Sequence, residues 1–212
     1  MPKQKRINMI FCVIYGIISV VAGIIHMIPF SFYFMLLTIV SFLLLCLPRL
    51  VNRIFHLKPV YEFHFMVYIF CFFAFVIGML FQGYHTIPLY DKAVHYLSGI
   101  FFSFIGVVFF YLLKPEKRML QEDYPLLAAF AFTFSMAIAA VWEIYEYIIN
   151  FILKTDPQYV LTTGVNDTML DIISCLVGTL IMEISIFFYY KKQKRGYLMK
   201  TAEKLIQINF YE

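Results

Sequence analysis

The sequence predicts an all-α polytopic membrane protein with six transmembrane helices and cytoplasmic N- and C-termini. Composition is the first reason: of 212 residues, 62% are hydrophobic and 14% are charged, whereas about a quarter are charged in soluble domains. The mean hydropathy of +0.81 agrees with this class. The length of the apolar stretches and the distribution of the basic residues are the other two reasons.

Six apolar stretches approach the roughly 20 residues that a helix needs to cross about 30 Å of hydrocarbon. The second stretch is the shortest, and Pro29 and Pro48 mark its limits. The predicted spans cover about residues 7–27, 31–47, 61–81, 93–113, 125–150 and 168–190. We therefore expect a single transmembrane domain, 1–212, whose last residues, 191–212, form a basic cytoplasmic tail.

The basic residues predict the orientation of these spans. Apart from Lys92 and Lys154, every lysine and arginine falls in a segment that six alternating spans place on one side of the membrane. The positive-inside rule assigns that side, and both termini with it, to the cytoplasm. The net charge of +4 thus reflects topology and does not indicate a nucleic-acid partner.

Two segments outside the spans combine basic and apolar residues. Arg49–Lys58 has the spacing of a short amphipathic helix on the membrane surface, and the tail after Lys191 is weakly amphipathic. We expect both segments to contact anionic membrane lipids and neither to take part in catalysis.

Ionisable residues occur at or inside three predicted spans, although a charge at the centre of such a helix costs about 2.5–3.5 kcal/mol. Steps of three and four residues place them on one face of each helix, together with small residues. The three faces are Asp91, His95, Gly99, Ser103 and Gly106; Ser135, Ala139, Glu143, Glu146 and Asn150; and Asp167, Asp171, Ser174 and Gly178. Small residues let membrane helices pack closely, so we expect the three faces to meet near the outer surface.

This convergence predicts a functional site with His95, Glu143 and Asp171 as its catalytic residues, because these three lie inside spans on packed faces. Several carboxylates in close quarters need a bound cation or partial protonation. Carboxylates with an imidazole suit Zn, Mn or Fe. The candidate metal ligands are His95, Glu143, Glu146, Asp171, Asp167 and Asp91. Protonation would instead give a carboxylic acid and a carboxylate for general acid and base catalysis.

Structural roles are the alternative for several of these residues. Asp91 and Asp167 stand where helices begin, so either could be an N-cap. Lys92 could pair with a neighbouring carboxylate. A polar network that only holds the helices together would account for the same pattern.

Three motifs between residues 90 and 180 resemble those of VanZ-like bacterial membrane proteins and of the uncharacterised YjdF-type inner-membrane proteins. The motifs are Asp-Lys-x-x-His at 91–95, Trp-Glu with a further Glu at 142–146, and an Asp-containing helix over 167–178. In the last helix Asp171 and Gly178 match the VanZ-like pattern, but Cys175 stands in place of its asparagine. The glutamine and arginine that follow the glutamate in that family are also missing, so the YjdF-type resemblance is closer.

The resemblance implies a multi-pass protein of the bacterial plasma (inner) membrane that is associated with the cell envelope. Glycopeptide resistance is known for some VanZ-like members. The resemblance supplies no mechanism.

Three functions fit these observations. The first is a metal-dependent hydrolase or transferase that acts at the outer leaflet on a lipid or lipid-linked cell-envelope substrate, with His95 as a metal ligand or general base. The second is a substrate-binding membrane subunit of a transporter, although the broken helices of many transporters are absent from the pattern. The third is a non-enzymatic envelope or assembly factor, in which the polar cluster fixes the packing of the helices.

Overall fold

The computed structural model describes residues 1–27, 31–154 and 156–210, and every regular element within them is helical. The helices are α1 (Lys3–Met27), α2 (Phe32–Ile54), α3 (Tyr61–Cys71), α4 (Gly83–Thr86), α5 (Tyr90–Leu113), α6 (Tyr124–Leu153), α7 (Val160–Thr163), α8 (Asn166–Lys192) and α9 (Tyr197–Phe210). A π-helical stretch, Phe72–Leu80, continues α3, and a 3-10 turn, Gln121–Asp123, precedes α6.

Six helical segments of the described chain are long and apolar enough to cross a membrane, counting α3 together with its π-helical continuation. They correspond to the six predicted spans, so the all-α polytopic fold class is confirmed. Their outward faces carry large apolar side chains: Val13, Ile17 and Ile24 of α1 are each more than half exposed, as contact with lipid requires. The predicted break at Pro29 lies outside the described residues.

Helix α2 does not end at Pro48, where the sequence predicts a break, but continues to Ile54. Pro48 is buried inside the helix, and membrane helices tolerate a proline where their surroundings satisfy the freed backbone group. The segment predicted as a surface helix therefore contains the last turns of α2. Its Asn52 side chain lies 2.8 Å from Nε2 of the buried His64 on α3, so contacts within the protein hold it.

The chain divides into two compact units, Met1–Asp91 and Lys92–Glu212. In the first unit, side chains of α1 bond to backbone carbonyls of the third span at both of its ends. The amide of Asn8 donates to the carbonyl of Tyr61 at 2.8 Å, and Nε2 of His26 lies 2.9 Å from the carbonyl oxygen of Leu80. His26 also stacks on Phe34 of α2. These contacts give His26 a structural role in the first unit.

The π-helical stretch is braced by two tyrosines that follow it in the chain. The hydroxyl of Tyr84 donates to the carbonyl of Ala74 at 2.9 Å, and that of Tyr90 donates to the carbonyl of Phe73 at 2.7 Å. Gly78 makes room for the first of these rings, because a Cβ at that position would lie 2.7 Å from Cζ of Tyr84. Two backbone carbonyls of the π-helical stretch thus accept hydrogen bonds from side chains that follow it in the chain.

The core of the second unit is a close packing of α5, α6 and α8 through small residues. A Cβ on Gly99 of α5 would collide with the backbone of α8, and one on Gly106 would lie 3.0 Å from Cα of Ala131 on α6. Every fourth residue of α6 from Leu127 to Glu143 is buried. Ser135, Ala139 and Glu143 of the face that the sequence predicts to be packed belong to this buried row.

At the opposite end of these helices from Glu143, Asp123 organises a buried polar cluster. Its carboxylate accepts hydrogen bonds from the Lys114 ammonium at 2.6 Å, the backbone N–H of Leu120 at 2.8 Å and the Tyr111 hydroxyl at 3.1 Å. The Tyr111 hydroxyl also contacts the Tyr190 hydroxyl of α8. The cluster joins the end of α5, the start of α6 and the end of α8.

Helix α9 lies in the predicted basic tail, residues 191–212. Its apolar side chains Met199, Ala202, Leu205 and Ile206 are at most 2% exposed. Most of the apolar face of α9 is therefore packed against the protein, and lipid contact stays a prediction for the exposed residues of the tail.

Candidate functional site

Each of the three predicted faces carries a buried ionisable residue. His95 of α5 is 7% exposed, Glu143 of α6 is 6% exposed and Asp171 of α8 is 1% exposed. All three lie toward the same end of the second unit, where α5 and α8 begin and α6 ends. Burial of polar groups at this position requires partners, and the hydrogen bonds and ion pairs around them show which groups meet.

Lys92 forms ion pairs with two carboxylates of α8. Its Nζ atom lies 2.5 Å from Oδ1 of Asp167, and 2.8 and 2.9 Å from Oδ1 and Oδ2 of Asp171. The Lys92 side chain is only 17% exposed, so solvent screens these pairs weakly. The ammonium offsets part of the carboxylate charge that the sequence concentrates at this end of the helices.

The contact with Lys92 also decides the role of Asp167. The N-cap position of α8 is Val165, and no side chain caps it. Asp167 lies within the first turn of α8 instead. Its carboxylate therefore acts in the ion pair, and the N-cap alternative is not what the structure shows.

His95 and Asp171 form the centre of the site. Nε2 of His95 lies 3.7 Å from Oδ1 of Asp171, which is one of the two oxygens that approach Lys92. Asp91 is carried by α5 one turn before His95. One ligand atom from each of Asp91, His95 and Asp171 lies within 4.8 Å of the other two, which makes them a group that could hold a metal ion.

The remaining predicted ligands contact other partners. Oε1 of Glu146 accepts a hydrogen bond from the Trp142 ring on the exposed side of α6. Asp167 pairs with Lys92. Among the described residues, the group within 4.8 Å comprises only Asp91, His95 and Asp171, so Glu143, Glu146 and Asp167 lie outside it.

Glu143 is covered by a residue of the connection between α6 and α8. The side-chain amide of Gln158 donates to Oε2 of Glu143 at 3.0 Å and to its backbone carbonyl at 3.1 Å. Gln158 is itself only 5% exposed. In the described part of the chain, the other carboxylate oxygen, Oε1, is buried without a hydrogen-bond partner. Such an oxygen is a functional candidate, because an unsatisfied buried acceptor is costly.

The helix register places Glu143 and Asp171 at the same level. The hydroxyls of Ser135 on α6 and Thr179 on α8 share a hydrogen bond of 2.8 Å. Glu143 follows Ser135 by eight residues and Asp171 precedes Thr179 by eight, and the two helices are antiparallel. At 1.5 Å per residue, both carboxylates lie about 12 Å from that hydrogen bond, toward the same end.

A second hydrogen bond of Ser135 relates α5 to this level. The Ser135 hydroxyl donates to the carbonyl of Gly99 at 3.1 Å, and His95 lies one turn before Gly99. The small residues in the middle of the interface therefore set the height at which the ionisable residues sit. Sequence spacing predicts that the small and the ionisable residues of each helix share one face, because residues three or four positions apart lie on the same side of a helix.

The sequence pattern gives no indication of Gln158, and it indicates Lys92 only as a possible ion-pair partner. Gln158 lies in a loop, where no periodicity indicates its direction. The predicted pairing of Lys92 with a neighbouring carboxylate is confirmed, and Lys92 contacts two aspartates of α8. The adjacency of Lys92 to Asp91 and its distance of three residues from His95 are the only local signals.

Comparison with known proteins gives a family without an assigned activity. The family described as predicted membrane proteins (DUF2238) matches residues 7–192, which include all six spans and every candidate ligand. An uncharacterized protein of Thermotoga maritima is 32% identical over 103 residues, which are 49% of this chain and 50% of that protein. The chain thus spans about half the length of the curated relative that it matches. No solved structure matches. The protein is a multi-pass membrane protein, and it belongs to the DUF2238 family of predicted membrane proteins.

Proposed function

We propose that this protein is a divalent-metal-dependent membrane enzyme, a hydrolase or transferase, that acts on a lipid or lipid-linked cell-envelope substrate. Asp91, His95 and Asp171 would bind the metal, and Glu143 would serve as the acid or base. The observation that carries the proposal is the approach of three potential ligand atoms to within 4.8 Å of one another.

The chemistry of these donors suits a catalytic transition metal. An ion with bonds of about 2.0–2.2 Å in a tetrahedral site holds its ligand atoms roughly 3.3–3.6 Å apart. Small side-chain rotations would bring Asp91, His95 and Asp171 to that separation. One imidazole and two carboxylates favour Zn, Mn or Fe, and three protein ligands leave a position for water or substrate.

Glu143 supports the catalytic part of the proposal. Gln158 fixes one of its carboxylate oxygens and leaves Oε1 buried without a partner in the described structure. A carboxylate that is held in one orientation, at the level of Asp171, could transfer a proton to or from a substrate next to the metal. A metal-bound water would supply the nucleophile for hydrolysis.

The depth of the site favours an amphiphilic substrate. Asp91 and His95 lie in the first two turns of the membrane-spanning helix α5, roughly 10 Å or less from its first residue. That depth corresponds to the boundary between hydrocarbon and headgroups. The resemblance of segment 91–95 to VanZ-like and YjdF-type proteins supports an envelope substrate, and the positive-inside rule supports an outward-facing site.

A structural ion-pair network is the second candidate function, and the Lys92 contacts favour it. An ammonium that touches both Asp167 and Asp171 can hold α5 against α8 without any bound metal. The protein would then be an envelope or assembly factor whose polar cluster fixes helix packing. The two functions differ in whether the site has measurable affinity for a divalent cation.

The test is a metal titration of the purified protein. Chelator-treated protein in detergent is titrated calorimetrically with Zn²⁺ and Mn²⁺, beside the variants His95→Ala and Asp171→Asn. We expect one bound ion per chain, with a loss of affinity of at least about tenfold in each variant, as for removal of one metal-binding partner. His56→Ala and Glu116→Gln, which replace exposed residues, are the matched controls and should bind like the wild type.

Catalysis is tested with the metal-loaded protein. Phospholipids and polyprenyl-linked lipids are incubated with the wild type and with Glu143→Gln, and the products are separated by thin-layer chromatography. We expect a product that requires metal, and its rate should fall at least about 100-fold in Glu143→Gln while metal affinity is retained. Absence of stoichiometric metal in folded wild-type protein would overturn the metal-dependent function and favour the ion-pair network.

A further inference from the structure

We infer that Lys92 is a built-in counter-ion that competes with the divalent cation for Asp171, so that the site alternates between a lysine-bridged form and a cation-bound form. The inference rests on the proposed function, because it concerns the same site. It assigns to Lys92 a regulatory role in cation binding, in addition to any role in holding α5 against α8.

The competition follows from the contacts of one carboxylate. Both oxygens of Asp171 approach the Lys92 ammonium, at 2.8 and 2.9 Å. Oδ1 also lies 3.7 Å from Nε2 of His95, and Asp171 belongs to the candidate metal group. The Asp171 side chain is 1% exposed, so little water can lie between a lysine and a metal ion that both contact it.

Electrostatics prevents both cations from binding Asp171 at full strength. An ammonium and a divalent ion on the same carboxylate would stand within a few ångströms of each other, where like charges repel strongly in a weakly solvated site. Binding of a divalent ion should therefore break or lengthen the contact between Lys92 and Asp171.

The structure provides a second partner for the displaced lysine. Nζ of Lys92 lies 2.5 Å from Oδ1 of Asp167, which is one turn nearer the start of α8 than Asp171. Lys92 can keep this ion pair while it withdraws from Asp171, so displacement does not leave a charge buried alone. The Lys92 ammonium can thus take two positions, one in contact with both Asp167 and Asp171 and one in contact with Asp167 alone.

The test is the affinity for Mn²⁺, measured calorimetrically in detergent for the wild type, Lys92→Met and Lys92→Arg. A neighbouring charge changes the proton affinity of a carboxylate by about 10- to 1,000-fold, so removal of Lys92 should tighten Mn²⁺ binding at least about tenfold. Lys92→Arg keeps the charge and should bind within about threefold of the wild type. Lys154→Met, which removes an exposed lysine, is the matched control.

The outcomes separate the two proposals. Wild-type binding with equal or weaker binding in Lys92→Met overturns the competition and leaves the metal site in place. Binding in Lys92→Met with no binding in the wild type overturns the metal-dependent function, and it also overturns the alternation, because the wild type then keeps only the lysine-bridged form. Absence of binding in both proteins overturns the metal function and the competition with it.

A second measurement needs no variant at Lys92. Folded wild-type protein is treated with acetic anhydride with and without saturating Mn²⁺, and acetylation of each lysine is followed by mass spectrometry. Displacement should increase the rate at Lys92 several-fold relative to its metal-free value, while Lys154 serves as the internal reference. Saturation with Mn²⁺ that leaves the rate at Lys92 unchanged or lowers it would overturn the inference.

Discussion

Gly99 of α5 and Gly178 of α8 lie in reciprocal contact, each directly against the backbone of the other helix. A Cβ on Gly99 would collide with the carbonyl of Cys175, and a Cβ on Gly178 would collide with the carbonyl of Tyr96. The pair lies just below the ionisable groups at the end of these helices. This closeness brings Lys92 of one helix within reach of Asp171 of the other.

Gly99→Ala and Gly178→Ala are expected to destabilise the protein and weaken the site together. A methyl group that meets backbone atoms cannot be accommodated by a rotamer change, so α5 and α8 must separate. We expect a loss at the upper end of the range for overpacking, about 3 kcal/mol. Thermal unfolding in detergent measures the stability, and Mn²⁺ titration measures the site.

Gly196→Ala is the control for this pair. Nothing lies within 4 Å of a Cβ at Gly196, so its unfolding temperature should match that of the wild type. Wild-type stability in Gly99→Ala would show that the helices do not pack as closely as the structure indicates.

Asp123→Ala should lower stability without affecting the candidate site. The substitution leaves the Lys114 ammonium, the Tyr111 hydroxyl and a backbone N–H without their common acceptor. Removal of one member of a buried ion pair costs about 3–5 kcal/mol. Tyr190→Phe removes one hydroxyl only and should cost about 0.5–1.5 kcal/mol. Chemical denaturation in mixed micelles measures both values.

The neighbouring Glu122 gives the control for Asp123. It is exposed, so Glu122→Ala should change the free energy of unfolding by less than about 0.5 kcal/mol. Mn²⁺ affinity should stay at the wild-type value in folded Asp123→Ala. A loss of Mn²⁺ binding there would mean that the two ends of the second unit are energetically coupled.

Gln158 and Glu143 should show a coupling free energy in a double-mutant cycle. Gln158→Ala removes the donor that holds Oε2 of a buried carboxylate, at an expected cost of about 1–3 kcal/mol. Once Glu143→Leu has removed the carboxylate, the same Gln158→Ala substitution should cost much less. The four proteins are compared by thermal and chemical unfolding. Additive effects would show that the Gln158–Glu143 hydrogen bond contributes nothing to stability.

Periodicity accounts for the part of the structure that sequence predicts well. The spacing of Ser135, Ala139 and Glu143 predicts one packed face of α6, and all three residues are buried. The same argument holds for His95, Gly99 and Ser103 of α5, because residues four apart share a helical face whatever lies against it. The six spans follow similarly from length and composition.

Contacts that depend on loops or on helix crossing have no such signal. The burial of Gln158 depends on the path of the α6–α8 connection, and the Tyr111–Asp123–Tyr190 cluster joins residues far apart in the chain. Pro48 is a case in which a local signal gives the wrong prediction. Proline usually ends a helix, but α2 continues through Pro48 because packing and apolar surroundings favour the helix. Local rules therefore predict faces, and tertiary contacts decide which groups meet.

The last prediction concerns orientation, on which an outward-facing site depends. The positive-inside rule places the α6–α8 connection outside and the α8–α9 connection in the cytoplasm. Lys154→Cys and Gly196→Cys introduce exposed thiols in these connections, in a background where the four native cysteines are replaced by alanine. A membrane-impermeant maleimide should label Lys154→Cys in intact cells and Gly196→Cys only after lysis, with the cysteine-free protein as the blank. Because labelling depends on which side each thiol faces, the reverse pattern would place His95 and Asp171 at the cytoplasmic surface, and a substrate in the outer leaflet could not reach them.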